Sequence, residues 1–271
     1  MILNINGHNL FVEDLGLKNN EAIVFLNGVM TTTSSWYELS DWFVKNGYRV
    51  ILHDFKGQLK SDKPQGPYTF KEHAEDTIEI LKKLGVKKAH FIGTSYGGEV
   101  GLKIGILFPE YVKSISVIDS VSELDQTLKN EINHWTELCK NNDGYQFFWG
   151  MAGGIYSNAY IQKNKAFLEK RAYAPKHMDK SYFEGQITLY ETFMNDVTMT
   201  EELKCIKAPS LIVCGELDTL KPPKFSKIIA DHIMNSEYIV IPDAGHVVIF
   251  EKPKELLTLL IGFIKKNKIK V

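Results

Sequence analysis

The chain has 271 residues, of which 44% are hydrophobic and 24% are charged, and this globular composition excludes disordered, collagen-like and low-complexity proteins. With 32 basic and 33 acidic residues the net charge is −1, so no overall positive field favours nucleic acid or an anionic lipid surface.

The cysteines and the N-terminal residues favour a cytoplasmic protein. Three cysteines without a CxxC pair predict neither a disulfide framework nor a zinc cluster. The first residues lack the basic and apolar regions of a signal peptide. The longest uncharged run, residues 144–162, is rich in glycine and poor in aliphatic residues, so we expect no transmembrane helix there.

Apolar runs alternate with amphipathic segments in the first half of the chain. Residues 2–5 and 9–14 predict an antiparallel hairpin. Continuous apolar runs then predict strands over residues 22–26, 48–55, 89–92 and 112–118. We predict helices over residues 36–46, 69–84 and 96–108. Strands that alternate with helices indicate βαβ units and a mostly parallel sheet covered on both faces.

The alternation stops after Ser120 and resumes about 80 residues later. The interruption predicts helices over residues 131–140, 163–171 and 182–194. The resumed pattern predicts strands over residues 209–214 and 238–241 and helices over residues 223–234 and 253–266. We therefore predict an α/β core formed by residues 1–120 and 204–271, with residues 121–203 as a helical cap. Such a cap would cover the carboxyl ends of the strands, where open α/β sheets bind ligands.

The candidate nucleophile is Ser95. Residues 93–97 read Gly-Thr-Ser-Tyr-Gly, a G-x-S-x-G pattern between a predicted strand and a predicted helix. In that context the pattern predicts a sharp turn that exposes the serine, because glycine at the crowded flanking positions avoids Cβ clashes. The alternative is a chance match in a glycine-rich turn.

A serine nucleophile requires a base and an acid that orients the base. His246, in the loop after the last predicted strand, is the candidate base; the alternative is a surface histidine. Asp218 follows the strand at 209–214 and is the leading acid, and Asp119 at the end of the strand at 112–118 is the alternative acid. The order serine, aspartate, histidine is that of α/β-hydrolases.

An oxyanion hole requires two backbone donors near Ser95. We predict the N–H groups of Tyr96, directly after the nucleophile, and of Val29, in the loop after the strand at 22–26. Gly28 would let that loop approach the substrate, although Asn27-Gly28 could also be only a tight turn.

Along nearly its whole length the chain resembles the α/β-hydrolase superfamily, in its capped small-esterase branch. The resemblance rests on residues 54–64 (DFKGQLKSDKP), 93–98 (GTSYGG), 215–218 (GELD) and 242–246 (PDAGH). It implies an α/β-hydrolase fold with Ser95, Asp218 and His246 as the catalytic triad. Three positions depart from the usual pattern. Lys56 stands where arginine is common, Leu59 where glycine is common, and Asn27 where histidine usually opens the oxyanion loop.

Serine at this position narrows the reaction class that the resemblance implies. Haloalkane dehalogenases and epoxide hydrolases place aspartate there, and dienelactone hydrolases place cysteine. We expect an esterase that cleaves a small apolar ester, thioester or lactone without a metal or other cofactor. The alternatives are a C–C bond hydrolase of ring-cleavage products and a signalling or receptor protein that keeps the triad.

The predicted cap contains two further candidate features. Aromatic and apolar side chains of the uncharged run, represented by Phe148, Trp149, Met151 and Tyr156, could line an acyl pocket or form the cap's own core. Between residues 163 and 180 six basic residues outnumber two acidic ones: Lys163, Lys165, Lys170, Arg171, Lys176 and Lys180. That surface could dock an acyl carrier protein, although a solvated helix face is the simpler interpretation.

Overall fold

The computed structural model describes residues 1–173 and 178–267. Within them, eight strands form one sheet in the order β1-β2-β4-β3-β5-β6-β7-β8. The strands are β1 (Ile2–Ile5), β2 (His8–Leu15), β3 (Ala22–Leu26), β4 (Arg49–His53), β5 (Ala89–Thr94), β6 (Val112–Ile118), β7 (Ser210–Gly215) and β8 (Ser236–Ile241). β1 and β2 are antiparallel, β2 pairs antiparallel with β4, and every pairing from β4 to β8 is parallel.

Helices cover the sheet, and several of them lie between β6 and β7 in the order of the chain. They are α1 (Tyr37–Lys45), α2 (Phe70–Lys83), α3 (Tyr96–Leu107), α4 (Gln126–Lys140), α5 (Gly144–Ile155), α6 (Asn158–Lys163), α7 (Lys165–Tyr173), α8 (Lys180–Asp196), α9 (Pro223–His232), α10 (Val248–Glu251) and α11 (Pro253–Lys266). The predicted α/β class and mostly parallel sheet are confirmed.

The central strands β3 to β7 are mostly apolar because both faces of the sheet are buried there. In β3, Val24 and Leu26 pack on the face covered by α2, α3 and α9, whereas Ile23 and Phe25 pack on the face covered by α1 and α11. Successive side chains of a strand point to opposite faces, so a strand buried on both faces needs apolar residues at every position. The sequence signal for strands was therefore continuous, and each predicted strand end lies within two residues of the observed one.

The uncharged run of residues 144–162 forms α5 and most of α6. We predicted no element over α5, which contains several glycines. The carboxylate of Asp143 caps this helix by accepting hydrogen bonds from the N–H groups of Tyr145 and Gln146, both at 3.0 Å. Phe147 and Met151, one turn apart, are buried in the core. In the described part of the chain, no helix has the length and apolarity needed to cross a bilayer.

We refer to helices α4 to α8 as the inserted helices. The segment predicted as one helix over residues 163–171 is divided at Asn164 between α6 and α7. The division of the chain into a core of residues 1–120 and 204–271 and a cap of residues 121–203 stays a prediction.

Candidate active site

Ser95 lies at a strained turn between β5 and α3. Its φ of 51° is in the left-handed region that residues other than glycine rarely adopt, at a cost on the order of 1–3 kcal/mol. A Cβ on Gly97 would lie 2.1 Å from the carbonyl oxygen of Leu26, and a Cβ on Gly93 would lie 2.2 Å from that of Gly97. Close backbone approach therefore requires the two glycines of the motif. The turn places Ser95 on the wall of a cavity at the carboxyl edge of the sheet.

Two side chains from the loops after β7 and β8 form a chain of hydrogen bonds that ends at Ser95. His246 Nε2 lies 3.1 Å from Ser95 Oγ, and His246 Nδ1 lies 2.8 Å from Asp218 Oδ2. The other oxygen of Asp218 accepts hydrogen bonds from the N–H groups of Leu220 and Lys221 at 2.9 and 2.8 Å. Asp218 is 3% exposed and His246 is 5% exposed, so little water competes for these hydrogen bonds. The structure thus brings together the three side chains that the sequence singled out.

Asp119, the alternative acid, has different contacts. One of its carboxylate oxygens accepts a hydrogen bond from the N–H of Gly215 at 2.9 Å, and the other accepts from the N–H of Val248 at 3.2 Å. Burial, reinforced by the nearby Asp218 carboxylate, raises the pKa of Asp119 well above its usual value. Asp119 therefore joins the end of β7 to the start of α10, and it is Asp218 that contacts His246.

The backbone amides of Val29 and Tyr96 belong to residues that line the same cavity as Ser95. Tyr96 is the first residue of α3, where N–H groups have no partner within the helix. Val29 lies in a turn in which the N–H of Thr31 donates to the carbonyl oxygen of Gly28 at 3.1 Å. Within residues 1–173 and 178–267, neither amide is a donor in the backbone hydrogen bonds of these turns. Both are available to a ligand.

Gln58, which the sequence analysis did not single out, holds the turn that contains Val29. Its Nε2 amide donates to the carbonyl oxygens of Gly28, Val29 and Thr31 at 2.8, 3.2 and 3.2 Å. Its Oε1 accepts from the backbone N–H of Phe55 at 2.9 Å. Gln58 is 1% exposed, so these hydrogen bonds form away from water. Because it occupies an unspecified position of the motif at 54–64, the pattern contained no signal for it.

Asn27, the residue in place of the usual histidine, completes this network. Its Nδ2 lies 3.0 Å from Gln58 Oε1 and from the carbonyl oxygen of His53, and 3.1 Å from Asp54 Oδ1. Its Oδ1 accepts from the indole N–H of Trp36 at 2.9 Å. The side chain is completely buried, and its donor and acceptor groups both have partners. Asn27 and Gln58 thus hold each other and the turn that contains Val29.

An apolar cavity of about 70 Å³ surrounds the hydroxyl of Ser95 and the ring of His246; we call it the catalytic cavity. The inserted helices contribute Ile132, Trp135, Ile155, Tyr190 and Phe193 to its wall. Among the described residues, Lys221 contributes an ammonium group to this wall; its Nζ lies 2.6 Å from Glu99 Oε1 and 4.5 Å from the centre of the Phe193 ring. Burial raises the pKa of Glu99 above its usual value, and Lys221 opposes this shift.

The predicted pocket residues lie around a second cavity, of about 180 Å³. Phe148, Met151 and Tyr156 line it, and none of the three lines the catalytic cavity. Trp149 lines neither cavity and packs edge-on against Phe148, with ring centres 5.5 Å apart. Successive residues of a helix differ in direction by about 100°, and Trp149 points away from the cavity that Phe148 lines.

The basic residues considered for carrier docking differ in their surroundings. Arg171 lines the second cavity, whereas Lys180 forms an ion pair with Glu184 at 2.9 Å. Lys176 lies outside the described residues. Docking of an acyl carrier protein stays a prediction.

A family model described as the alpha/beta hydrolase fold matches residues 21–253. The chain belongs to this family. The family and fold that the sequence motifs indicated are therefore confirmed.

Similar proteins include enzymes that act on lactones. The 3-oxoadipate enol-lactonase 1 of Acinetobacter baylyi is 28% identical over 265 residues, which cover 98% of this chain and 96% of that enzyme. The structure of MGS-M2, an α/β hydrolase from a Medee basin deep-sea metagenome library, has a TM-score of 0.94 at 28% identity and covers 100% of this chain and 99% of its own. Est816, described as an N-acyl homoserine lactone degrading enzyme, has a TM-score of 0.82 at 26% identity, with 97% and 100% coverage. These proteins are hydrolases, and the chain is a hydrolase of the same fold.

Proposed function

We propose that this hydrolase cleaves a small carboxylic ester, thioester or lactone through an acyl-enzyme formed on Ser95. The observation that supports this most directly is the chain of hydrogen bonds from Ser95 Oγ through His246 to Asp218 on the wall of an apolar cavity. A hydroxyl next to a neutral imidazole that a buried carboxylate orients is the arrangement that acyl transfer requires.

The first half of the reaction forms the acyl-enzyme. Asp218 accepts the Nδ1–H of His246, so that Nε2 is free to take the proton of the Ser95 hydroxyl as Oγ attacks the substrate carbonyl carbon. The carbonyl oxygen becomes an oxyanion, which the N–H groups of Val29 and Tyr96 stabilise. The protonated His246 then gives its proton to the leaving oxygen or sulfur, and the bond between that atom and the carbonyl carbon breaks.

The second half of the reaction releases the acid. His246 takes a proton from a water molecule, whose oxygen attacks the acyl carbon, and the same two N–H groups stabilise the second oxyanion. The bond to Ser95 Oγ breaks, and the protonated His246 returns its proton to that oxygen. With a lactone substrate the leaving hydroxyl stays attached to the acyl chain, so a single hydroxy acid is the product.

Lactones and short esters are the substrates we favour. The named relatives include an enol-lactonase and an N-acyl homoserine lactone degrading enzyme. The wall of the catalytic cavity is mostly apolar. Such a wall suits the uncharged carbon atoms next to the reacting carbonyl of an ester or lactone.

Hydrolysis of p-nitrophenyl esters with acyl chains of increasing length, and of five- and six-membered lactones, tests the proposal. We expect many turnovers per enzyme molecule and a fall in kcat of about 10³-fold or more in Ser95→Ala. Ser226→Ala, which removes a buried hydroxyl on α9 outside both cavities, is the matched control and should leave kcat unchanged. Equal rates for the wild type and Ser95→Ala would refute the proposal, and a single slow covalent turnover would favour a receptor.

A further inference from the structure

The second cavity adjoins the catalytic cavity. Four residues, Met30, Thr31, Ile155 and Val247, line both. A substrate whose carbonyl group lies at Ser95 can therefore extend along these shared walls into the space of about 180 Å³ beyond them. That space is mostly apolar, which suits a chain of methylene groups.

Arg171 of α7 is the charged residue of the second cavity among the described residues. Its guanidinium group lies over the ring of Phe250, 4.9 Å from the ring centre, and Phe250 also lines the cavity. Stacking on an aromatic ring restricts the plane of the guanidinium and leaves the N–H groups at its edge to bind a ligand. Arg171 is half-buried, so its charge is only partly solvated.

The guanidinium of Arg171 has no carboxylate partner in the described part of the chain. The other arginine, Arg49, forms an ion pair with Asp14 at 2.9 Å, and Lys221 in the catalytic cavity is paired with Glu99. Glu38 shares a neighbouring cleft with Arg171 but forms no ion pair with it. Residues 174–177 and 268–271, which the structure does not describe, contain no aspartate or glutamate.

We propose that Arg171 binds a carboxylate group of the substrate. The substrate is then a lactone or ester that has an acid group several bonds from the carbonyl carbon that Ser95 attacks, such as a half-ester of a dicarboxylic acid or a lactone with a carboxylate side chain. The planar guanidinium group can donate two parallel hydrogen bonds to a carboxylate, which a lysine at this position could not do. This assignment of substrate class rests on the proposed function of Ser95.

Hydrolysis of matched pairs of substrates tests the assignment. Each pair consists of the p-nitrophenyl monoester of glutaric, adipic or suberic acid and the same compound with its free acid converted to a methyl ester. We expect wild-type kcat/KM to be about tenfold or more higher for the free acid at the best chain length. The difference should lie mainly in KM, because a carboxylate far from the reacting carbonyl is bound equally in the ground state and the transition state.

Variants of neighbouring residues show whether Arg171 causes the preference. Arg171→Gln should lower kcat/KM for the free acids about tenfold and leave the methyl-capped esters within about twofold. Arg171→Lys should retain part of the preference, since it keeps the charge and loses the planar donors. Lys170→Gln removes the same charge from an exposed position on α7 and should behave as the wild type. Equal rates for capped and free acids in the wild type, or an equal loss for both in Arg171→Gln, would overturn the assignment.

Calorimetric titration separates this assignment from the proposed reaction. Glutarate, adipate and suberate are titrated into the wild type and Arg171→Gln in the absence of any ester. We expect binding by the wild type at the best chain length and an affinity about tenfold lower in the variant. Absent binding, or equal affinity in the two proteins, would overturn the carboxylate site even if esters are hydrolysed. Binding that depends on Arg171 in a protein that hydrolyses no ester would refute only the proposed function.

Discussion

Gln58 links the turn that contains Val29 to the rest of the fold, and its replacement tests the proposed role of the Val29 N–H most directly. The substitution Gln58→Leu keeps a side chain of similar size and removes the amide. The carbonyl oxygens of Val29 and Thr31 then lose the donor at 3.2 Å, and the N–H of Phe55 loses its acceptor at 2.9 Å. The Gly28 carbonyl still accepts from the backbone N–H and hydroxyl of Thr31.

The cost to stability follows from these contacts. A net contribution of about 1 kcal/mol for each of the two lost carbonyl contacts, and about 1–3 kcal/mol for the buried Phe55 N–H without an acceptor, predicts a fall of about 3–5 kcal/mol in the free energy of unfolding. Loss of one oxyanion donor lowers kcat by about 10²–10³-fold. The substitution displaces the Val29 amide rather than deleting it, so we expect kcat to fall by about 10–100-fold with KM nearly unchanged.

Steady-state kinetics on the best p-nitrophenyl ester, together with inhibition by an alkyl boronic acid, provides the assay. A boronate adduct on Ser95 mimics the tetrahedral oxyanion, so its inhibition constant should rise in proportion to the loss of kcat. Gln58→Glu, which places a carboxylate against three carbonyl oxygens, should be impaired at least as strongly. Leu256→Ala in α11 is the control, since it destabilises the core by about 2–5 kcal/mol without contacting the turn. If Gln58→Leu loses stability like Leu256→Ala but keeps wild-type kcat, Gln58 does not position the oxyanion donor.

Three further predictions concern the triad and the buried histidines. Asp218→Asn should lower kcat by about 10³–10⁴-fold with little change in KM, because the amide favours the wrong tautomer of His246; a loss below tenfold on the same ester would contradict this. His73 is completely buried among the rings of Phe55 and Tyr96, and neither ring nitrogen has a partner among the described residues, so His73→Phe should raise the free energy of unfolding in urea by about 1–2 kcal/mol. Burial lowers the pKa of His53 to about 4, below the 6.5 of the unfolded chain, so the unfolded state binds the proton first as the pH falls. Stability should therefore decrease between pH 6.5 and pH 4, by about 2 kcal/mol from pH 7.5 to pH 5, and an unchanged slope in His53→Leu would refute this source.

The sequence predicted the sheet because the physical requirement on its strands is local. Every position of β3 is buried on one face or the other, and the runs at residues 22–26 and 112–118 have the observed strand boundaries. The position of Ser95 was predictable for a similar reason. The glycines on either side of it are required by contacts within a few residues and with the adjacent β3.

Helix α5, the role of Gln58 and the direction of the Trp149 side chain were not predicted, because they depend on contacts between distant parts of the chain. Helix α5 contains several glycines, which lower helix propensity, and its stability comes from the burial of Phe147 and Met151 against other elements. Gln58 donates hydrogen bonds to a turn 27 to 30 residues earlier in the chain, and no local sequence pattern indicates a contact of that kind. Trp149 was expected in a pocket because it is aromatic, but the direction of its side chain depends on how α5 is oriented about its own axis.

The choice between Asp119 and Asp218 shows how the fold gives similar residues different tasks. Both aspartates follow adjacent parallel strands, so the sequence alone left them as competitors for the same role. The loop after β7 turns the Leu220 and Lys221 N–H groups toward one oxygen of Asp218 and leaves the other for His246. Asp119 instead accepts from the N–H groups of Gly215, the last residue of β7, and Val248, the first residue of α10. It thereby joins the strand that precedes Asp218 to the helix that follows His246, and burial at this position raises its pKa.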